Sequence, residues 1–160
     1  MQQTENILIS VEYNHVLNML NGRKTAELRR RPVRIKPGTK VWIYSKMPRG
    51  KVELVATADS IVASSPRDLW NRYKARVAIS SPDFEAYFAG VDIGCAILLR
   101  DIRALRPALG LTMLRETSKS FQPPQFFKRL DNQSAELRCL LSCTALVPNS
   151  LSVKGSCLSS

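Results

Sequence analysis

The stretch LNGRKTAELRRRPVRIK, from Leu20 to Lys36, is the part of the chain around which the fold is organised. It follows an amphipathic run and precedes an apolar strand pattern. It combines a glycine, a basic pair, a carboxylate and five further arginines or lysines. An unpaired ion buried in a protein costs several kcal/mol. These charged side chains therefore either line a cleft or form a solvated face.

The middle of this stretch predicts a β-strand over Thr25–Arg31. Because side chains alternate along a strand, Ala26 and Leu28 turn toward the core, and Glu27 and Arg29 share the other face. Two charged groups at this spacing can pair, which holds the arginine fork in a pose suited to a phosphate or a planar base edge. The alternative is an exposed strand with an ordinary surface ion pair, which contributes ~0–1 kcal/mol.

The charge of the chain is strongly positive and unevenly distributed. The net charge is +11 over 160 residues. The first fifty residues carry ten Lys or Arg against three acidic residues, a local net charge of +7. A positive field of this kind indicates a polyanionic partner, most often a nucleic acid. The alternative is a small basic protein whose charge serves only solubility.

The cysteines do not form a metal-binding pattern. Cys139 and Cys143 lie four positions apart, but no second such pair follows, and His15 is distant in the sequence. We therefore expect no metal and no cofactor. The N-terminus lacks the pattern of a secretory signal, and the longest apolar run, Cys95–Leu99, is far below the ~20 residues of a membrane span. These features predict a cytoplasmic protein with free thiols and no membrane partner.

Hydrophobic periodicity predicts short strands and helices along the chain. The helix over Tyr13–Asn21 ends at Gly22, which tolerates the left-handed conformation, and its histidine, His15, is interpreted as a surface or satisfied residue. Ser65–Pro66 and Ser81–Asp83 begin two aromatic-rich helices that cap one opening of a barrel, with their rings in the core. The predicted strands are Ile7–Val11, Val41–Ser45, Val52–Val62 and Cys95–Leu99, and a last helix covers Ala135–Leu146.

Two aromatic regions leave alternatives open. In Val41–Ser45, Trp42 and Tyr44 share one side; they either stack on bases, at ~1–3 kcal/mol each, or pack under a flanking helix. The second region is FQPPQFF, Phe121–Phe127, which we expect to be extended because its two prolines donate no backbone hydrogen bonds. Gln122 and Gln125 can present amides to a base there, although packing of the phenylalanines explains the stretch equally well.

Several segments resemble an ASCH domain of the PUA-like superfamily. The most specific part is the spacing of Gly22, Lys24, Glu27 and Arg29, followed by KPGTKVWIYS. The matching segments are Ile7–Pro32, Lys36–Ser45, Asp68–Tyr73, Asp83–Gly90 and Phe121–Leu130. The resemblance implies an α+β fold, a small PUA-like β-barrel with short flanking helices, over residues 5–130. Residues 131–160 are then a C-terminal extension that is partly flexible, with a loose tail from Val147.

The charge and the resemblance together predict a module that binds RNA or a nucleotide in a basic cleft, with a possible regulatory role. The resemblance implies RNA rather than duplex DNA as the partner. In such a cleft, Glu27 accepts hydrogen bonds from exocyclic amines and Arg29 binds a phosphate or a carbonyl edge. The candidate ligand-binding residues are Lys24, Glu27, Arg29, Arg31, Tyr44, Ser45, Gln122 and Gln125.

An enzyme acting in the same cleft is the alternative. Some ASCH proteins are amidohydrolases of acetylated cytidine, and the resemblance places their lysine at Lys24. Their threonine is replaced by Glu27, and no carboxylate occurs near Ala75–Ala78, where their glutamate is expected. Metal-independent cleavage of RNA by Lys24 and Glu27 stays open, since a lysine and a carboxylate with tuned pKa values can transfer protons. A third possibility is an interaction protein whose aromatic cap docks on an unknown protein partner.

Overall fold

The computed structural model describes residues 3–145 of the chain. Strands and short helices alternate through most of this part, with one turn of 3₁₀-helix at Lys74–Arg76. The strands are β1 (Asn6–Val11), β2 (Ala26–Arg29), β3 (Lys40–Ser45), β4 (Lys51–Ser64), β5 (Gly94–Gly110) and β6 (Phe127–Leu130). The helices are α1 (Tyr13–Leu20), α2 (Pro66–Tyr73), α3 (Ser81–Tyr87), α4 (Leu111–Thr117) and α5 (Ala135–Ala145).

The strands form one mixed sheet in the order β2-β5-β4-β3-β1-β6. Strands β1 and β3 are parallel, and the other neighbours are antiparallel. The long pair β4–β5 has three register shifts, which bend and twist the strands. The sheet curls into a half-barrel, which confirms the predicted α+β class with short flanking helices.

Both faces of the central strands are buried. Ile43 on β3 packs with α1 in one cluster of apolar side chains, whereas Trp42 and Tyr44 pack with α4 and α5 in a second cluster. Trp42 is 1% exposed and Tyr44 is 3% exposed. Of the two interpretations, packing under flanking helices is therefore confirmed, and a stacking platform at these two rings is excluded.

Local sequence signals explain how several elements begin and end. Gly22 follows α1 with φ 81°, the left-handed conformation expected of it. The turn before β3 closes through a hydrogen bond from the Thr39 N–H to the Lys36 carbonyl, 3.1 Å. Ser65 caps α2 as predicted, while Ser80, one residue earlier than predicted, caps α3. The strands and helices predicted before residue 100 are all present.

Helices α2 and α3 pack over β2 and β5 in a third apolar cluster. Phe84 and Phe88 are buried there with Ala26 and Leu28, as predicted. The prediction that Tyr87 belongs to the same buried face is wrong, because its side chain is 38% exposed. This helical cap thus closes one end of the sheet but leaves one aromatic ring accessible.

The end of the described chain differs from its predicted form. Strand β6 pairs antiparallel with β1 and was not predicted. Helix α5 was predicted, and its Leu137 and Leu140 are buried against the second cluster. The domain boundary at residue 130 stays a prediction, and the predicted loose tail from Val147 lies outside the described residues. Within residues 3–145, no helix is long and apolar enough to cross a membrane.

The packing of α3 against β5 yields a stability prediction. A Cβ added at Gly94 would overlap the buried ring of Phe88. Since that ring packs between Phe84 and Tyr87, it has little room to move. We expect Gly94→Ala to lower the free energy of unfolding by about 1–3 kcal/mol, measured by urea denaturation.

The matched control is Gly110→Ala. No heavy atom lies within 4 Å of the Cβ position at Gly110. This variant should lose clearly less stability. Equal losses in the two variants would contradict the role assigned to the Phe88 contact.

Candidate functional site

A cleft of about 810 Å³ opens where β1, β2, α1 and α3 meet. The end of β1, the start of α1 and the basic segment after β2 form much of its wall, and the residues just before β6 complete it. The polar and charged residues that line it are Ser10, Glu12, Asn14, His15, Lys24, Glu27, Arg29, Arg30, Arg31, Lys46, Asp83, Tyr87 and Gln125. The charged stretch around which the fold is organised therefore lines a cleft.

Lys24 lies at the base of this cleft and is only 1% exposed. Its backbone N–H donates to the Asn18 carbonyl at 2.9 Å, which anchors the residue to α1. Its ammonium donates to the Val77 carbonyl at 3.2 Å and lies 3.9 Å from the Glu27 carboxylate. Burial lowers the pKa of Lys24 below its usual value, the nearby Arg29 lowers it further, and Glu27 opposes both.

Arg29 connects three parts of the cleft. Its Nη2 lies 4.0 Å from Oε2 of Glu27, so the predicted contact between these two side chains is present. The same guanidinium donates to the Ser10 carbonyl on β1, 3.2 Å, and to the Phe126 carbonyl, 3.1 Å. One side chain therefore holds the segment before β6 against the end of β1.

Four buried polar atoms on the cleft residues lack hydrogen-bond partners among residues 3–145. They are Oγ of Ser10, Nδ1 of His15, Oε2 of Glu27 and Nε of Arg29. Buried polar groups are normally paired, and an unpaired one costs ~1–3 kcal/mol. Because these atoms are concentrated in one cleft, it is the candidate binding site.

Helix α3 forms one wall through a set of contacts with the basic segment. Arg30 donates to the carbonyls of Tyr87 and Ala89, the second at 3.2 Å. The Tyr87 hydroxyl donates to the Leu28 carbonyl at 3.0 Å. These contacts fix the Tyr87 ring at the wall of the cleft.

The opposite rim contains an arginine over an aromatic ring. The Arg31 guanidinium carbon lies 5.1 Å from the centre of the Phe126 ring, a cation–π distance. Phe126 is 58% exposed. Further along the rim, Lys46 and Glu12 form an exposed ion pair at 2.9 Å. The mouth of the cleft is thus cationic and partly aromatic.

The structure brings together five of the eight residues predicted to bind a ligand. Lys24, Glu27, Arg29, Arg31 and Gln125 line the cleft. Tyr44, Ser45 and Gln122 do not line it.

Each of these three residues has a different position. Tyr44 is buried in the second apolar cluster, and Ser45 is fully buried at the end of β3. Gln122 is exposed next to Phe121, whose ring is buried in the same cluster as Tyr44. Burial argues against a ligand-binding role for Tyr44 and Ser45, and the role of Gln122 stays a prediction.

The lining residues that sequence reasoning missed include Ser10, His15, Tyr87 and Phe126. Ser10 is a polar residue within the apolar run Ile7–Val11 of β1, which was a usable signal. His15 was interpreted as a surface or satisfied residue, but its ring lines the cleft with an unpaired nitrogen. No local pattern marks Phe126, because its partner Arg29 is 97 residues away.

In ASCH proteins that are amidohydrolases, a catalytic carboxylate is expected near Ala75–Ala78. In this chain a backbone carbonyl lies there instead. Residues Ala75–Ala78 approach Lys24 through the backbone carbonyl of Val77. A carbonyl accepts a hydrogen bond but does not take up a proton as a carboxylate does. Within residues 3–145, no three His, Cys, Asp or Glu side chains lie together so as to hold a metal ion.

Comparison with known proteins assigns the family. No protein-family model matches the chain. A Zymomonas mobilis protein named ASCH domain-containing ribonuclease is 34% identical over 129 residues, 81% of this chain and 85% of that protein. The chain belongs to the ASCH-domain family. The resemblance carried by the basic stretch is therefore confirmed.

Solved structures agree with this assignment. The crystal structure of the ASCH protein from Zymomonas mobilis superposes with a TM-score of 0.80 at 31% identity. The match covers 86% of this ASCH chain and 94% of that one. Human THYN1, solved in complex with DNA containing 5-methylcytosine, matches with a TM-score of 0.53 over 91% and 100% of the two chains. At 11% identity, that likeness shows the fold alone.

The environment of His15 predicts its titration. Burial lowers its pKa below 6.5, the usual value for histidine, and the charge of Lys24 lowers it further. Arg29 also lowers it, while Glu27 and Glu12 raise it. Since His15 is the single histidine of the chain, its ring signals in an NMR pH titration are unambiguous. We expect the midpoint below 6.5, and a higher midpoint in Lys24→Met.

The same shift has a consequence for stability. Between the folded pKa and 6.5, the unfolded chain binds more protons at His15 than the folded chain. The contribution of His15 to the free energy of unfolding therefore increases as the pH rises through this window.

Lys51→Met, which removes one positive charge outside the cleft, is the control for Lys24→Met in the NMR titration. A midpoint that moves equally in both variants would contradict a specific effect of Lys24.

Proposed function

We propose that this ASCH domain binds RNA and holds one unpaired nucleotide in the cleft. The observation that carries the proposal is the cluster of unpartnered buried polar atoms inside a cationic cleft. Its volume of about 810 Å³ falls within the range of small-molecule sites, roughly 300–1,000 Å³. A nucleotide supplies the donors, acceptors and negative charge that such a cleft lacks.

The polar side chains of the cleft suggest which hydrogen bonds recognise the nucleotide. The Glu27 carboxylate is an acceptor for the exocyclic amine of a base, and Nε–H of Arg29 is a donor for a base carbonyl or a phosphate oxygen. The hydroxyl of Ser10 can act in either role. Arg31 at the rim is exposed and suited to the backbone phosphates.

An unpaired nucleotide of RNA fits better than a base pair. Sequence-specific proteins usually recognise RNA in single-stranded segments, where bases can leave the stack and enter a pocket. A base in duplex DNA must first be unpaired and unstacked, which costs a few kcal/mol. The related Zymomonas mobilis protein is named a ribonuclease, which supports RNA as the polymer. The net charge of +11 supplies the long-range attraction.

Replacement of Arg29 tests the binding function. We expect Arg29→Ala to weaken binding of short single-stranded RNA by about 1–3 kcal/mol, because a base or phosphate contact is lost. Fluorescence anisotropy over a salt series measures the effect. If Arg29 contacts a phosphate, the slope of log K against log salt should become shallower by roughly 0.7.

Arg103→Ala is the matched control, since it removes the same charge from an exposed position on β5 outside the cleft. Thermal unfolding of both variants is recorded alongside. Equal weakening by the two variants would show that only net charge matters. Loss of binding that follows loss of folding would assign Arg29 a structural role.

Cleavage of the bound RNA is a second candidate function, favoured by the lowered pKa of Lys24 beside Glu27. Glu27 would take the proton of a ribose 2′-hydroxyl, and the resulting oxygen would attack the adjacent phosphorus. The 5′-oxygen of the next nucleotide would leave with a proton from the Lys24 ammonium. The products are a 2′,3′-cyclic phosphate and a free 5′-hydroxyl.

Glu27→Gln tests this chemistry. The amide cannot accept the 2′-hydroxyl proton, so cleavage seen on a denaturing gel should fall by about 10²–10⁴-fold, with little change in RNA affinity. RNA carrying a single 2′-deoxyribose at the cleaved position should remain whole with the parent protein. Cutting of that RNA, or full activity of the variant, would contradict the mechanism.

A further inference from the structure

We propose that Phe126, held by Arg31, is a stacking platform for the base next to the nucleotide in the cleft. The recognised unit is then at least two consecutive unpaired nucleotides. This inference rests on the proposed RNA-binding function, which it extends from one nucleotide to a dinucleotide step.

Exposure of aromatic side chains singles out this position. Among residues 3–145, the aromatic side chains that are exposed rather than buried or half-buried are Tyr87 and Phe126, and both line the cleft. The Tyr87 hydroxyl is already bonded to the Leu28 carbonyl, so that ring forms part of the wall. Phe126, at 58% exposed, is the ring with free surface at the mouth.

Phe126 is held in place before any ligand arrives. Its carbonyl accepts the 3.1 Å hydrogen bond from Arg29, and its ring carries the Arg31 guanidinium at 5.1 Å. Pro123 and Pro124 restrict the preceding backbone, and β6 begins at the following residue. A side chain fixed in this way loses little conformational entropy when a ligand binds.

The chemistry of the platform suits a nucleobase. Bases stack on aromatic rings and on guanidinium planes, and this interaction tolerates any base because each has a π-face. The arginine above the ring also attracts the phosphate that links two nucleotides. An aliphatic or acidic peptide would gain only part of these contacts.

A shared contact with Arg29 links the Phe126 platform to Glu27 inside the cleft. The Phe126 carbonyl and the Glu27 carboxylate both contact the Arg29 guanidinium, at 3.1 Å and 4.0 Å. A nucleotide that engages Glu27 therefore lies beside the residue that presents the ring. The neighbouring base has the Phe126 surface within reach as the strand leaves the cleft.

Phe126→Ala in the full chain tests the inference, because it removes the ring and keeps the carbonyl that Arg29 binds. Dissociation constants are measured by NMR titration for nucleoside 5′-monophosphates and for the corresponding dinucleotides. We expect the variant to bind dinucleotides about 5- to 150-fold more weakly, the range for loss of one stacked base, and to lose clearly less affinity for mononucleotides. Phe126→Tyr should retain dinucleotide binding, since it keeps a ring.

An abasic dinucleotide separates stacking from other effects. Removal of the second base should weaken binding to the parent protein by the same factor and cause no further loss in Phe126→Ala. Ile93→Ala is the control for an exposed apolar side chain outside the cleft, and it should leave both affinities unchanged.

The outcomes distinguish this inference from the function on which it rests. Equal weakening of mononucleotide and dinucleotide binding by Phe126→Ala, or no extra affinity for dinucleotides in the parent protein, would overturn the stacking role alone. Absence of binding to either ligand and to single-stranded RNA would overturn the RNA-binding function and the stacking role together.

Discussion

The buried ammonium of Lys24 is the constraint on which the cleft depends. A cation with so little access to water must keep its partners close, because an unpaired buried charge is strongly destabilising. The Val77 carbonyl and the Glu27 carboxylate meet this need, and so the connection between α2 and α3 is held against β2. Glu27 in turn lies beside Arg29, whose guanidinium reaches β1 and the segment before β6. A single buried charge thus fixes four parts of the chain around one space.

The cleft contains four buried polar atoms that have no hydrogen-bond partner within residues 3–145. An unsatisfied buried polar group typically costs ~1–3 kcal/mol unless water or a ligand pairs with it. Proteins commonly retain such groups at functional sites. The low dielectric around Lys24 also strengthens every charge interaction made there. The cleft therefore differs from an ordinary basic surface, which water and salt would screen.

The sequence predicted the elements whose pattern is local. Strand β1, helix α1 and the pairing of Glu27 with Arg29 follow from periodicity over a few residues. The errors arise where the tertiary structure decides. In β3 both faces are buried, so alternation could not show that Tyr44 lies away from the cleft or that Ser45 is enclosed. Strand β6 has four residues, and its existence depends on pairing with β1 at the other end of the described chain. The family resemblance supplied the fold that periodicity alone left undetermined.

The hydrogen bond between Arg29 and Phe126 also determines when the site can form during synthesis. Its partners are 97 residues apart in the sequence. Strands β3, β4 and β5, helices α2, α3 and α4 and the 3₁₀ turn lie between them. Until residue 126 has left the ribosome, one wall of the cleft is missing, whatever part of the sheet has already paired. A ligand that contacts every wall of the cleft can therefore bind only after translation has moved well past β5.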